Sequence, residues 1–270
     1  MQQFVQLSKK DYLQICSLLD IDPDTDLNAR KSLHEKVNRK NVKTTLKELS
    51  KRIKDKTAII FGAGPSLVND ISDVSPLIRK YPNEIVVIAV DGAVKALLEC
   101  DLKVDIVVTD LDGSIPAIRE SHTKNAIIII HAHGDNIPKV NSISDLLPKM
   151  GIIGTTQTTK TSKVWNLGGF TDGDRAVYTA ANMYAKRIVL FGFDFGKIIG
   201  RYSKPENYNE DFPASENKLI KFKIAKKLLA QLPEKFLFTE FFQYTEKGEK
   251  IENILQIGMT KLKEILNVKH

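Results

Sequence analysis

Short apolar runs alternate with longer amphipathic stretches through the middle of this chain. The runs cover Thr57 to Phe61, Ile85 to Val90, Asp105 to Val108, Ala126 to Ile130 and Arg187 to Phe191. Strands buried on both faces read as continuous Val- and Ile-rich runs. Their alternation with helical periods predicts an α/β fold, a parallel or mostly parallel sheet flanked by helices. Residues 1–56 read as a helical N-terminal region: Ser8 caps a stretch carrying Tyr12, Ile15, Cys16 and Leu19, and a second stretch carries Leu33, Val37, Leu46 and Leu49. Between them Asp22-Pro23-Asp24-Thr25-Asp26 reads as a turn and helix start, its carboxylates better explained by exposed capping than by a cation. Residues 201–270 predict a small α+β part with a polar, mobile, lid-like loop over 201–215. A basic amphipathic helix from Leu219 to Leu232, a hairpin from Phe236 to Ile257 and a terminal helix follow. Gly151 to Gly169 is too weakly periodic to assign.

Charge separates along the chain. The 270 residues carry a formal net charge of +7 from lysines near both ends, while aspartate concentrates in the middle third. Lysines spread over amphipathic helices form a solvated face, and aromatics are not interleaved with them as a base-stacking platform requires, which disfavours nucleic acid. Cys16 and Cys100 lie far apart in helix-like segments, so they read as reduced fillers and favour a cytoplasmic setting. Met1 to Val5 lacks a secretory pattern, and no apolar run nears the ~20 residues that span a bilayer, so export and membrane insertion are disfavoured.

The strand ends carry the candidate chemistry, and ligands of open α/β sheets bind outside those ends. Phe61-Gly62-Ala63-Gly64-Pro65-Ser66-Leu67 joins a strand to a helix. Gly62, Gly64 and Ser66 could cradle a phosphate there, or simply form a tight turn. Thr109-Asp110-Leu111-Asp112-Gly113 closes another strand, and two aspartates one residue apart repel unless a divalent cation relieves them. Magnesium, which takes few carboxylates beside waters and phosphate oxygens, suits so lean a pair. Asp91-Gly92-Ala93 ends the neighbouring strand, so Asp91 and Asp110 would project into one crevice. Thr171-Asp172-Gly173-Asp174-Arg175 opens a helix and could cap it or bind metal and phosphate. Gly192-Phe193-Asp194-Phe195-Gly196 is a further glycine-flanked turn at the same end of the sheet. His131-Ala132-His133-Gly134-Asp135-Asn136 follows four isoleucines and puts two imidazoles on one face. Zinc would need more ligands than the sequence offers, so phosphate or substrate binding is preferred, with structural hydrogen bonding beside it.

In this order, the glycine turn, Asp91-Gly92-Ala93, Thr109-Asp110-Leu111-Asp112-Gly113, the histidine segment and Gly169-Phe170-Thr171-Asp172-Gly173-Asp174-Arg175-Ala176 resemble the archaeal 6-hydroxymethyl-7,8-dihydropterin pyrophosphokinase family over about residues 57 to 200. That family is similar to thiamine pyrophosphokinases, whose Asp-Gly-Gly-Ala, Gly-Asp-Phe-Asp-Ser and Thr-Asp motifs line a magnesium-nucleotide site. Gly113 precedes Ser114 where the thiamine enzymes have serine directly, and the histidine segment goes with the pterin group. The resemblance implies that 57–200 is a nucleotide-binding catalytic domain like that of thiamine pyrophosphokinase; the helical region 1–56 and the part 201–270 match neither group distinctively. It implies Mg²⁺, ATP as co-substrate and a reduced pterin whose hydroxymethyl oxygen attacks the β-phosphorus while AMP leaves.

On the same resemblance Asp110, Asp112 and Asp172 would hold the metal, and Asp91 with Gly92 would orient nucleotide or metal-bound water. Gly62, Gly64, Ser66 and Thr171 would meet phosphate or nucleotide, Arg175 and nearby lysines would stabilise the transferred group, and His131, His133, Asp135 and Asn136 would bind phosphate or substrate. A homodimer is what the thiamine relatives imply. A thiamine-type pyrophosphokinase, or a metal-dependent nucleotide-sugar glycosyltransferase using Asp-x-Asp, stands as the alternative.

Overall fold

A computed structural model of the protein describes residues 4–204, 209–245 and 248–267. Three helices come first: α1 (Lys9–Leu19), α2 (Pro23–Lys36) and α3 (Arg39–Ile53). Ser8 and Asp22 cap the first two with side-chain oxygens, and Pro23 starts α2 where no amide donor is needed. Strands and helices then alternate as β1 (Thr57–Phe61), α4 (Leu67–Lys80), β2 (Ile85–Val90), α5 (Ala93–Glu99), β3 (Ile106–Thr109), α6 (Ile115–Thr123), β4 (Ile127–His131), α7 (Ile137–Ser142) and β5 (Ile152–Thr155). Next come β6 (Val164–Trp165), α8 (Asp172–Asn182), β7 (Arg187–Phe191), β8 (Ile198–Ile199) and β9 (Phe212–Pro213). Helices α9 (Glu216–Ala230) and α10 (Leu232–Lys235), strands β10 (Glu240–Tyr244) and β11 (Leu255–Ile257) and helix α11 (Met259–Asn267) follow.

Nine of these strands form one parallel sheet in the order β11-β10-β7-β1-β2-β3-β4-β5-β6. The expected strands are all in it, and β1, β2 and β4 are buried along their whole length. Alternation divides their side chains between two cores. Ile59 and Phe61 face the layer that holds Leu33 of α2, Leu67 of α4 and Leu97 of α5, while Ala58 and Ile60 face Leu49 of α3, Tyr178 of α8 and Leu229 of α9. The chain builds outward from β1 to β6, then returns to place β7 on the other side of β1, so the direction of winding reverses between β1 and β7. Ligand crevices of open α/β sheets lie at such a reversal.

Two expectations from the C-terminal part change. The predicted hairpin is absent: β10 and β11 run parallel, Phe242 beside Leu255 and Tyr244 beside Ile257, and both extend the main sheet beyond residue 200. A glycine between two apolar runs reads as a hairpin, but here the Gln243 side chain holds the returning segment. Its Nε2 donates to the Phe193 and Glu249 carbonyls, and its Oε1 accepts from the Ile251 amide. Over 201–215, a short helical turn at Arg201–Ser203 and β9, which pairs antiparallel with β8, add regular structure to the expected loop, whose residues 205–208 lie outside those described. The unassigned stretch supplies β5 and the edge strand β6. Both cysteines are free, and no helix among the described residues is long and apolar enough to cross a membrane.

Helix α2 is part of the core, because Gly154 in β5 leaves the room that the Leu33 side chain fills, its Cδ2 lying 2.8 Å from where a Cβ would stand. Leu33→Ala should therefore lower the unfolding free energy by about 2–5 kcal/mol. Urea unfolding is expected to show a lower midpoint at an unchanged slope, whereas an unmoved midpoint would mean that α2 packs only loosely.

Candidate active site

Three carboxylates meet at the carboxyl edge of the sheet. Asp91 follows β2 and Asp110 follows β3, neighbours whose register pairs Val90 with Val108. Asp172 opens α8, and its Oδ2 accepts the Asp110 amide at 3.0 Å. Asp91 Oδ1 accepts from Thr109 Oγ1 and from the Gly113 amide, each at 2.8 Å. The turn after β3 needs φ of 71° at Leu111, a conformation few branched residues take, and the Leu111 amide donates to Thr109 Oγ1 at 2.8 Å.

Burial, and then the charge of Asp110, push the Asp91 carboxyl up to about 7. The same two causes lift Asp172 well above the ordinary carboxylate range. Burial opposes charge on Asp110 as well, yet the His133 imidazole 3.6 Å away holds that carboxyl below its usual value. Asp172 Oδ1 is buried without a hydrogen-bond partner. The Arg175 Nε stands 3.9 Å from that oxygen, and the repulsion left among the three acids fits a further bound cation.

Asp112 lines the same cleft, at its exposed edge. It is ion-paired with Lys139, so of the expected Asp110, Asp112 and Asp172 set it is the member already neutralised by a cation. Among the described residues, no three His, Cys, Asp or Glu side chains surround one point as a full ligand set would.

The histidine loop is partly scaffold. Asn136, expected to touch ligand, spends its amide donors on the Asp110 and His131 carbonyls and its oxygen on the His133 amide. His131 is buried, and its Nε2 lies 3.2 Å from Arg175 Nη2, so it faces the guanidinium as a neutral acceptor. Burial and the Arg175 charge hold its pKa well below normal. Its ring stacks on His133 at 5.7 Å, and His133 and exposed Asp135 line the cleft. From the other side Gly134 donates its amide to Asp26 Oδ1 at 2.9 Å, and Asp26 also binds Tyr12 Oη and Gln157 Nε2. Of the acidic turn, Asp22 caps as expected, but Asp26 is a buried anchor for this loop.

Three other expectations are corrected. Arg175 is fully buried and outside the cleft wall: it donates to the Gly168 and Phe170 carbonyls at 3.2 and 2.8 Å, so it fixes the approach to α8 instead of meeting a transferred group. Gly92 packs under the Tyr202 carbonyl, 1.7 Å from where a Cβ would be, and does not face the cleft. The supposed phosphate loop is already filled from within. Gly62 and Gly64 donate their amides to Phe191 and Gly192 carbonyls at 2.8 and 3.0 Å. Ser66 donates its amide to Asp194 Oδ2 at 3.1 Å, and its hydroxyl reaches Asp70 at 2.8 Å. A carboxylate thus sits at the start of α4 where an anionic ligand would bind. Both glycines allow the turns after β1 and β7 to touch: a Cβ on Gly64 would meet Asp194 Oδ2 at 2.1 Å. Gly62 and Gly64 still form cleft wall, and Thr171 lines it while donating to Asp174 Oδ1 at 2.6 Å.

The cleft holds about 620 Å³. Sequence reasoning missed much of its remaining wall. Phe193, Phe195 and Phe222 form an edge-to-face series with ring centroids 6.0 and 5.5 Å apart, and Lys218 and Lys221 of α9 join them. A signal was present: the two lysines interrupt the apolar stripe of α9 at positions that fall on one face with Phe222 and Ala225.

A parallel α/β protein with an acidic cleft at the carboxyl edge of its sheet is the class that fold and site define. A family model described as "6-hydroxymethylpterin diphosphokinase MptE-like" matches residues 34–200. The chain belongs to this family. A protein of Methanothermobacter thermautotrophicus named 6-hydroxymethyl-7,8-dihydropterin pyrophosphokinase is 45% identical over 171 residues, 63% of this chain and 71% of the relative. One of the same name from Methanocaldococcus jannaschii is 37% identical over 232 residues, 83% of this chain and 93% of the relative. Among solved structures, a glycosyltransferase from Magnetospirillum magneticum has a TM-score of 0.49 at 16% identity, covering 83% of this chain and 39% of its own. Nothing about activity follows from that last likeness.

The Asp70 bracket between α4 and the turn after β7 sets a pH dependence. Burial raises the Asp70 carboxyl from 3.8 to about 6, although Ser66 and the Gly192 amide both donate to it. The folded state therefore holds this proton more tightly than the unfolded chain, so the stability it contributes is full below about pH 4 and is lost as pH rises through about 6. The loss is on the order of 3 kcal/mol. Asp70→Asn, which keeps an acceptor but cannot ionise, should gain stability relative to the parent between pH 4 and pH 7 in urea unfolding. A stability difference that does not change with pH would refute this.

Proposed function

We propose that the chain transfers diphosphate from ATP to 6-hydroxymethyl-7,8-dihydropterin with release of AMP, in a Mg²⁺-dependent reaction. The convergence of Asp91, Asp110 and Asp172 in one cleft is the observation that carries this reading. The names borne by the relatives and the family support the acceptor and the reaction. Asp110 and Asp172, linked through the Asp110 amide and with Asp172 Oδ1 accepting no hydrogen bond, would hold Mg²⁺, which needs few protein ligands beside waters and phosphate oxygens. Bound there, the ion would neutralise charge gathering on the phosphates.

The chain's own residues do the positioning. Asn136 and the Asp172 link fix the turn after β3, so Asp110 is presented without rearrangement. Phe170, Phe193 and Phe195 offer an apolar wall for a flat heterocycle. The ribbon residues Ile198, Ile199 and Phe212 help to enclose it from water. Chemistry of this type depends on orientation and electrostatics, so no strong base is required.

Asp110→Asn and Asp172→Asn should each reduce AMP formation from ATP and the pterin by about 10²-fold or more with the fold retained. Asp112→Asn is expected to cost less, because Asp112 is exposed and paired with Lys139. AMP production by Asp110→Asn and Asp172→Asn at the parent rate, measured by chromatography of the nucleotides, would sink the reading.

A further inference from the structure

We propose that Lys218 and Lys221 form the protein's own clamp for the diphosphate unit of the donor and product, an inference that rests on the donor reading above. Both side chains line the cleft that holds Asp91, Asp110 and Asp172. They stand three residues apart on α9, so their ammonium groups lie on one helix face and repel each other. Elsewhere in the chain lysines find counter-ions: Lys139 pairs with Asp112, Lys226 with Glu249 and Lys261 with Glu264. Among the described residues, neither Lys218 nor Lys221 has a carboxylate within ion-pair distance. Lys218 is half-buried, with its ammonium 5.4 Å from the Phe222 ring, and the attraction of the three aspartates reaches it across the cleft.

Half-buried Lys218 stands without a counter-ion against the Phe222 ring, and exposed Lys221 adds a second positive charge at the cleft mouth, which makes a bound polyanion their natural partner. The partner must also sit beside the acidic cluster, so it has to carry charge that both lysines and a carboxylate-held cation can share. A diphosphate has that shape and charge, whereas a monophosphate cannot bridge the two walls as fully. The same α9 turn brings its amino end to the site: Ser215 caps it, accepting from the Lys218 amide at 3.3 Å, and Ser215 and Asn217 are also cleft residues. The helix dipole adds to the positive side of the cleft. The acidic sheet edge and the basic helix thus divide the work, one holding a cation and the other the phosphate oxygens directly.

Isothermal titration of the full chain with ATP, inorganic pyrophosphate and AMP, each with Mg²⁺, tests this. Lys218→Gln and Lys221→Gln should each weaken ATP and pyrophosphate by roughly ten- to a hundredfold while leaving AMP unchanged. Lys218→Arg, which keeps the charge, should recover most of the loss. Equal weakening of all three ligands, or pyrophosphate binding that ignores both substitutions, overturns the clamp, as does a parent protein that binds neither ATP nor pyrophosphate. Lysine-dependent pyrophosphate binding without transfer to the pterin would keep the clamp and remove the pterin reading.

Discussion

One hydrogen bond ties the acidic cluster together: the amide of Asp110, at the end of β3, donates to the carboxylate of Asp172, at the start of α8. It joins residues 62 positions apart and obliges two acids to stand close in a setting where burial penalises charge. Each carboxylate accepts from at least one backbone amide, Asp91 from Gly113 and Asp110 from Asp112, which offsets part of the desolvation. Repulsion remains, and it appears as the raised Asp91 and Asp172 carboxyls. Only a well-packed frame can hold that arrangement, and the sheet supplies one by fixing the ends of β2 and β3 through its ladder.

The helices at the start of the chain extend this frame. Tyr12 of α1 and Asp26 of α2 share a hydrogen bond, and Asp26 passes the connection to Gly134 and to Gln157, both next to the histidines. Gly134 has no Cβ because Thr25 occupies its place, with Oγ1 2.2 Å from it. Asn136 then carries the support across to Asp110. The imidazoles are held from two sides, and the segment that resembled an appendage is a wall of the active-site scaffold.

The cleft is polarised. Carboxylates gather at the strand ends, lysines come from α9, and phenylalanines from the turn after β7 lie near them. On the proposed reading, a ligand with a flat apolar ring and a polyanionic tail would meet complementary surface along its length. Such a division of charge needs elements from distant parts of the chain, since like charges near in sequence would repel without a ligand.

Periodicity and composition were enough to read the parallel α/β core, since buried strands must be apolar throughout and their ends must carry the polar work. Asp91, Asp110 and Asp172 were legible for the same reason: acids at strand ends and a helix start face one crevice once the sheet is parallel. Local pattern could not say which donors were already satisfied. Asp194 fills the amino end of α4 and Asp112 turns to Lys139, contacts made with residues remote in sequence, while Arg175 folds back onto the carbonyls of Gly168 and Phe170. Strand direction for β10 and β11 was likewise open, because an apolar run does not encode its partner. The sequence by itself determined which segments are buried and which strand ends are charged; tertiary packing decided which polar groups are spent on the fold and which remain free for a ligand, because hydrogen-bond satisfaction depends on distance in space.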